Sequence, residues 1–233
     1  MRDFSYLDRN FKEIRGRIEE AARQAGTDPA GIRLVGVTKT VDVDTINYAI
    51  ENLGLTEIGE NRVQSLLEKY DSIRCRDRIK INFIGSLQTN KVKYIIDKVD
   101  LIQSLDSLKL ACEIDRQAEK HGRIMDVLIE VNSGREPNKG GIMPESAEEF
   151  TDEVLKLKNI RLCGLMTIGP VCEELSDLKK FFVETYRTFI DISAKKLHNI
   201  DRPIMSMGMS RGFEYAIESG SNMVRIGSAL FRE

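Results

Sequence analysis

Apolar residues recur at Phe4, Leu7, Phe11, Ile14, Ile18, Ala21 and Ala22, the three-and-four spacing of an amphipathic helix. Gly26 and Asp28-Pro29 stop that pattern, as a helix-ending glycine and a following proline do. The rhythm then changes to short apolar runs. Arg33–Val37, Thr56–Gly59, Ile81–Gly85, Leu101–Ser104, Met125–Val131, Arg161–Met166, Ile204–Met207 and Met223–Ile226 have the length and composition of strands buried on both faces. Helical patterns separate them near Asp44–Leu53, Asn61–Tyr70, Asn90–Lys98, Leu108–His121, Pro144–Leu157, Leu175–His198 and Phe213–Glu218. Parallel strands need such crossovers, and the crossovers are right-handed. The economical closure is an α/β fold of one domain over residues 1–233, a single (β/α)8 TIM barrel with an extra N-terminal helix. That extra helix is expected on the barrel's outside or across its amino-terminal mouth. An open doubly wound sheet is the competing architecture, but no Gly-x-Gly-x-x-Gly fingerprint follows any strand.

The predicted strand ends place the candidate chemistry. Lys39 lies just past the carboxyl end of the first strand, in Leu34-Val35-Gly36-Val37-Thr38-Lys39-Thr40. That edge of an α/β barrel is where ligands bind, and a lysine held there by rigid backbone is suited to Schiff-base chemistry. Alone, it could equally be a surface lysine that follows a strand. The loops after the seventh and eighth strands read Ser206-Met207-Gly208-Met209-Ser210-Arg211-Gly212 and Arg225-Ile226-Gly227-Ser228. Barrels often build a phosphate site from those two loops. Gly208, Ser210, Gly227 and Ser228 supply close backbone approach, free N–H groups and hydroxyls. Taken singly, each Gly-Ser pair is an ordinary helix cap.

Composition narrows the field. The chain has 35 Lys+Arg against 37 Asp+Glu, which leaves no field for nucleic acid or an anionic membrane. No apolar run approaches the roughly 18–20 residues of a membrane span, and the start lacks a signal-peptide pattern. Cys75, Cys112, Cys163 and Cys172 show no short paired spacing, so neither zinc nor a disulfide framework is indicated. A reducing, cytoplasmic setting is expected. With only His121 and His198, a histidine triad or metal cluster is not expected.

A lysine and a phosphate cradle together suggest pyridoxal 5'-phosphate (PLP), whose aldehyde would take Lys39. The ring nitrogen then needs a partner, and Arg225 at the end of the eighth strand is placed to reach it. An arginine only donates, so it holds that nitrogen unprotonated and weakens the ring as an electron sink. A salt bridge from Arg225 to Glu130 or Glu60 is the structural alternative.

Seven blocks in order extend the argument: Val37-Thr38-Lys39-Thr40, Gly59–Gln64, Phe83–Lys91, Asn132-x-x-x-Glu136-x-x-Lys139-x-Gly141, Gly164-Leu165-Met166, Gly208-Met209-Ser210 and Gly220–Gly227. On these the chain resembles the pyridoxal phosphate homeostasis protein family (YggS/PROSC-like), single-domain relatives of the barrel domain of alanine racemase. The resemblance implies that Lys39 forms the Schiff base and that Ser210, Gly227 and Ser228 bind the phosphate. It also implies that Arg225 faces the pyridine nitrogen and Asn61 lies beside the ring, with Gly208 and Met209 completing the cofactor-binding set. Several positions depart from the pattern. Asn82 stands where histidine is usual, Gly212 replaces an acidic residue, Ser228 replaces threonine, and no glycine follows Phe231. The Gly212 change bears on how firmly the phosphate loop is braced. Gln88 and Asn90 are expected either to cap the next helix or, with Ser86 and Lys91, to line the mouth. Asn132, Glu136 and Lys139 are read as a solvated polar loop.

The function implied is intracellular PLP homeostasis without committed turnover: a monomer that holds the cofactor and passes it to apo PLP enzymes. The alternative is an amino-acid racemase using Lys39 as a base. Two-base racemisation needs a second acid/base, which alanine racemase supplies as a tyrosine from a second domain and partner subunit. All six tyrosines here, Tyr6, Tyr48, Tyr70, Tyr94, Tyr186 and Tyr215, fall in predicted helices.

Overall fold

The computed structural model describes residues 3–197 and 200–233. Eight parallel strands close on themselves in chain order: β1 (Arg33–Val37), β2 (Glu57–Glu60), β3 (Lys80–Phe83), β4 (Leu101–Leu105), β5 (Met125–Val131), β6 (Ile160–Thr167), β7 (Ile204–Ser206) and β8 (Met223–Ile226). Closure is made by β1 against β8, with Arg33 opposite Met223 and Gly36 opposite Ile226. The helices are α1 (Ser5–Gln24), α2 (Val43–Leu53), α3 (Val63–Tyr70), α4 (Leu108–Lys120), α5 (Ala147–Val154), α6 (Leu178–Lys196), α7 (Phe213–Glu218) and α8 (Ser228–Phe231). The predicted single TIM barrel with an added N-terminal helix is the observed fold. No helix among the described residues is long and apolar enough to cross a membrane.

Strand alternation sorts the apolar residues into two clusters. Val35, Leu101, Leu128, Cys163, Met166, Ile204 and Met223 pack together inside the barrel. Their neighbours in sequence, among them Ile102, Val127, Ile129, Leu165, Met205 and Val224, pack outward in the larger cluster shared with the helices. The period of two along each strand produces this division. Burial of α1 follows its apolar stripe, with Leu7, Phe11, Ile14, Ile18, Ala21 and Ala22 all buried.

The structure corrects several boundaries. α1 packs against α7, α8 and α2 on the outside and does not close the amino-terminal mouth. The segment predicted as a helix near Asn90–Lys98 is a 3-10 helix over Thr89–Tyr94 followed by turns. Val92, Ile95, Ile96 and Val99 are buried at helical spacing, but β-branched residues restrict side-chain freedom in an α-helix. The segment closes through tight turns such as Lys98 N–H to Ile95 O at 2.9 Å, mixed with isolated α-type bonds from Ile96 N–H to Val92 O and from Val99 N–H to Ile95 O, both at 3.1 Å. Gln88 precedes that helix without a side-chain capping bond. The predicted helices at Pro144 and Leu175 each open with a 3-10 turn before the α-helix begins. His198 lies outside the described residues. α8, missing from the sequence reading, is only four residues long.

Candidate functional site

The carboxyl ends of β1 and β2 build the support for Lys39. Thr38 N–H donates to Gly59 O at 3.0 Å, and Val41 N–H returns to Thr38 O at 2.9 Å, closing the turn that carries Lys39. Beneath it lies a buried polar knot. Thr38 Oγ1 donates to Glu60 Oε1 at 2.7 Å, Ser65 Oγ to Glu60 Oε2 at 3.1 Å, and Lys69 Nζ to both Glu60 Oε1 at 2.9 Å and Thr38 O at 2.7 Å. Glu60 is therefore spent on Lys69, not on Arg225. The side chain of Lys39 stands exposed above this knot.

Two cavities meet at Lys39. One, of about 380 Å³, is lined by Lys39, Asn61, Ser86, Glu130, Lys139 and Arg225, among others. The second, of about 720 Å³, is lined by Lys39, Met209, Ser210, Arg225, Gly227 and Ser228, with Tyr6 from α1 on its wall. All the sequence-predicted residues except Gly208 thus line a cavity that Lys39 also lines. Gly208 lies in the wall of an adjoining apolar cavity. Its φ is +94°, and a Cβ there would stand 2.7 Å from Ala216 Cβ and 2.9 Å from Phe213 Cα. Only glycine fits both the conformation and the space. Its carbonyl accepts Arg225 N–H at 3.0 Å, tying the two loops together.

Ser210 Oγ lies 3.3 Å from both Gly227 N and Ala229 N, and accepts from them. Two backbone N–H groups of the last turn are thereby aimed at the position of the Ser210 hydroxyl, an arrangement suited to an anion. Ser86 reaches the cavity as a lining residue.

Arg225 is 3 % exposed. It donates through Nη1 to Ser206 Oγ at 2.7 Å and through Nη2 to Thr167 O at 2.8 Å. No ion pair to Glu130 forms, so the salt-bridge alternative gives way to neutral anchors. Burial pulls its guanidinium down to about 10, opposed by the charge of Glu130. Glu130 moves the other way. Desolvation, then repulsion from Asp106, push its carboxyl up to about 7, while Arg225 draws it back. Glu130, Lys139 and Tyr6 are among the cavity-lining residues to which no cofactor-binding role was assigned from sequence. The signal for Glu130 was present: Leu128 and Glu130 share the inward face of β5, which puts a carboxyl near the strand's carboxyl end.

The sequence profile described as "Alanine racemase, N-terminal domain" matches residues 7–233. A pyridoxal phosphate homeostasis protein from Aquifex aeolicus is 45% identical over 217 residues, covering 93% of this chain and 93% of the relative. The chain belongs to the pyridoxal phosphate homeostasis protein family. Among solved structures of similar shape, an unknown protein from Bifidobacterium adolescentis superposes with a TM-score of 0.92 at 34% identity, over 99% of this chain and 98% of that one. PipY of Synechococcus elongatus, whose structure has PLP bound, gives 0.79 at 26% identity over 92% and 99%. Membership in this family fits the candidate site: a lysine amine, a buried donor-only guanidinium and paired backbone N–H groups border one cavity.

Proposed function

We propose that this protein binds PLP in the cavity shared by Lys39, Arg225 and the Ser210–Gly227–Ser228 loops, and serves PLP homeostasis without committed turnover. The observation that carries this reading is the convergence of those groups on one cavity. PLP supplies an aldehyde that an amine can capture as a Schiff base, and Lys39 is the amine at hand. Ser210, Ser228 and the N–H groups of Gly227 and Ala229 would hold the phosphate, with Asn61 beside the ring. Met209 would close the cavity next to Ser210, and Gly208 would set the path of that loop. The PLP-bound structure of PipY and the names of the relatives support PLP as the ligand.

Arg225 argues for holding rather than turnover. It can donate to a ring nitrogen but offers no acid that would protonate it. Lys39 would secure the cofactor, and apo PLP enzymes would be the recipients, with the protein acting as a cytoplasmic monomer. In the test, wild type and Lys39→Ala are titrated with PLP and followed by visible absorption. A band in the wild type that the variant lacks is the expected result. Equal bands, or none in either, would overturn the role of Lys39. Exchange of the Cα proton of alanine or serine at a useful rate would favour a racemase using Lys39 as base.

A further inference from the structure

Arg225 is fastened from the opposite end of the barrel. Its Nη1 donates to Ser206 Oγ at 2.7 Å, and Ser206 Oγ donates to Gln103 Oε1 at 2.7 Å. Gln103 Nε2 donates to Asn82 Oδ1 at 2.8 Å, and Asn82 Nδ2 donates to Glu57 Oε2 at 3.2 Å. Glu57 is in turn gripped by Arg33, with Nε to Oε1 at 2.6 Å and Nη2 to Oε2 at 2.8 Å. The path runs from β8 through β7, β4, β3 and β2 to β1. Ser206, Gln103 and Asn82 are fully buried, and Glu57 is 6 % exposed.

A barrel interior is ordinarily filled by branched apolar side chains, and buried polar groups are costly unless every one is satisfied. Here each link is satisfied, and the sense of the chain is determined by its ends. A guanidinium only donates and a carboxylate only accepts. Along the chain the hydroxyl and the two amides each accept from one link and donate to the next, while the amide nitrogens of Asn82 and Gln103 also reach Ile58 O at 3.3 Å and Met223 Sδ at 3.2 Å. All the hydrogens therefore point from Arg225 towards Glu57, and turning any one group leaves two donors or two acceptors face to face.

We propose that Ser206, Gln103, Asn82 and Glu57 are positioning residues: a one-way hydrogen-bonded chain that holds the Arg225 guanidinium in its orientation towards the cofactor cavity. Two of its five N–H groups are committed to the wall, through Ser206 and Thr167, leaving the remainder of the donor fork to meet a ligand. What Arg225 would meet rests on the PLP reading above; the orientation of Arg225 does not.

The sense of the chain provides the test. In Gln103→Glu, the new carboxylate accepts from Ser206 but has no proton for Asn82. The Asn82 amide must turn, and its oxygen then opposes Glu57. Adding Glu57→Gln restores the link between positions 103, 82 and 57 at unchanged total charge. Asn82 then donates to position 103 and the amide at position 57 donates to Asn82; Arg33 keeps Nε on the remaining oxygen, while its Nη2 contact and the Asn82 contact to Ile58 O are given up. PLP affinity and the visible band are measured for wild type, Gln103→Glu, Glu57→Gln, the double variant and Ser206→Ala. Side-chain NMR of the 15N-arginine-labelled apo-proteins reads the Arg225 guanidinium directly.

Each single variant is expected to weaken PLP binding about tenfold or more, the scale of one lost buried hydrogen bond, and to shift the band. The double variant is expected to bind PLP more tightly than Gln103→Glu. In apo-protein the slow guanidinium proton exchange of Arg225 is expected in wild type and the double variant, and lost in Gln103→Glu and Ser206→Ala. Singles that match wild type, or a double variant as weak as the two singles combined, would overturn the proposal. So would a freely exchanging guanidinium in wild type. If Gln103→Glu does not fold, Ser206→Ala decides by the same two measurements. Absence of a PLP band in wild type would sink the PLP reading alone, because the apo-protein spectrum still judges the chain.

Discussion

Glu130 enters the cavity from β5 with its carboxyl pushed from 4.5 up to about 7 by desolvation first and Asp106 second. A raised carboxyl means the folded state binds a proton that the unfolded state releases, so stability falls as pH rises between about 4.5 and 7. Glu130→Gln is therefore expected to be more stable than wild type at pH 8, by on the order of 1–3 kcal/mol. The difference should vanish below about pH 4.5, and thermal unfolding across that range checks it. A gap that persists in acid would show that packing, not ionisation, separates the two proteins. Lys69 is the converse case. Its side chain is 14% exposed and pairs with Glu60 at 1%, so Lys69→Met leaves a buried carboxylate without its cation. A loss of about 3–5 kcal/mol is expected, read by denaturant unfolding, with faster amide exchange at Val41, whose N–H closes the Lys39 turn. At this scale Lys39, Ser210 and Arg225 were legible because each follows or ends a strand. Lys69 was not. A lysine on a helix says nothing in sequence about which strand end it will reach across the barrel wall.

At the scale of elements, the strands were the readable part, since fully buried parallel strands announce themselves as apolar runs. β1, β5 and β8 have the predicted bounds. The helices were less so. Residues 89–99 have buried positions at helical spacing, Val92, Ile95, Ile96 and Val99, yet form a 3-10 helix and turns, and the spacing alone does not distinguish the two. The junction of β5 and β6 carries a register shift between Val127 and Leu128. Gly164, opposite Leu128, has φ +147°, and a Cβ there would stand 2.0 Å from Ile204 O. Because that atom is backbone of the next strand, nothing can yield without breaking the β6–β7 ladder. Gly164→Ala is expected to cost more than about 2 kcal/mol, and a melting temperature within about a degree of wild type would contradict it. Sequence marked Gly164 only as part of a family block; the close approach exists only once β7 is laid beside it.

On the scale of the whole molecule, the barrel divides its thiols by environment. All four cysteines are free. Cys112 is exposed on α4, whereas Cys163 is buried in the barrel interior, where desolvation pushes its thiol up to about 11. A thiol reagent at pH 8 is expected to modify Cys112 promptly and Cys163 only on unfolding. Mass mapping of a short exposure would expose the error if Cys163 reacted first.

The sequence by itself determined the count and order of strands and all but one of the crossover helices, and therefore the closed barrel, because apolar runs and the 3.6 period are local properties of the chain. It also determined the ligand-side placement of Lys39, Ser210 and Arg225, which follows from where strands end. Tertiary structure alone decided what those residues touch. Arg225 is anchored on Ser206 and Thr167 and not on Glu130, and Glu57 is joined to it through Asn82, Gln103 and Ser206. Arg225 and those partners lie on six different strands. Contacts across the barrel depend on the register around the whole closed sheet, and no local pattern encodes that register.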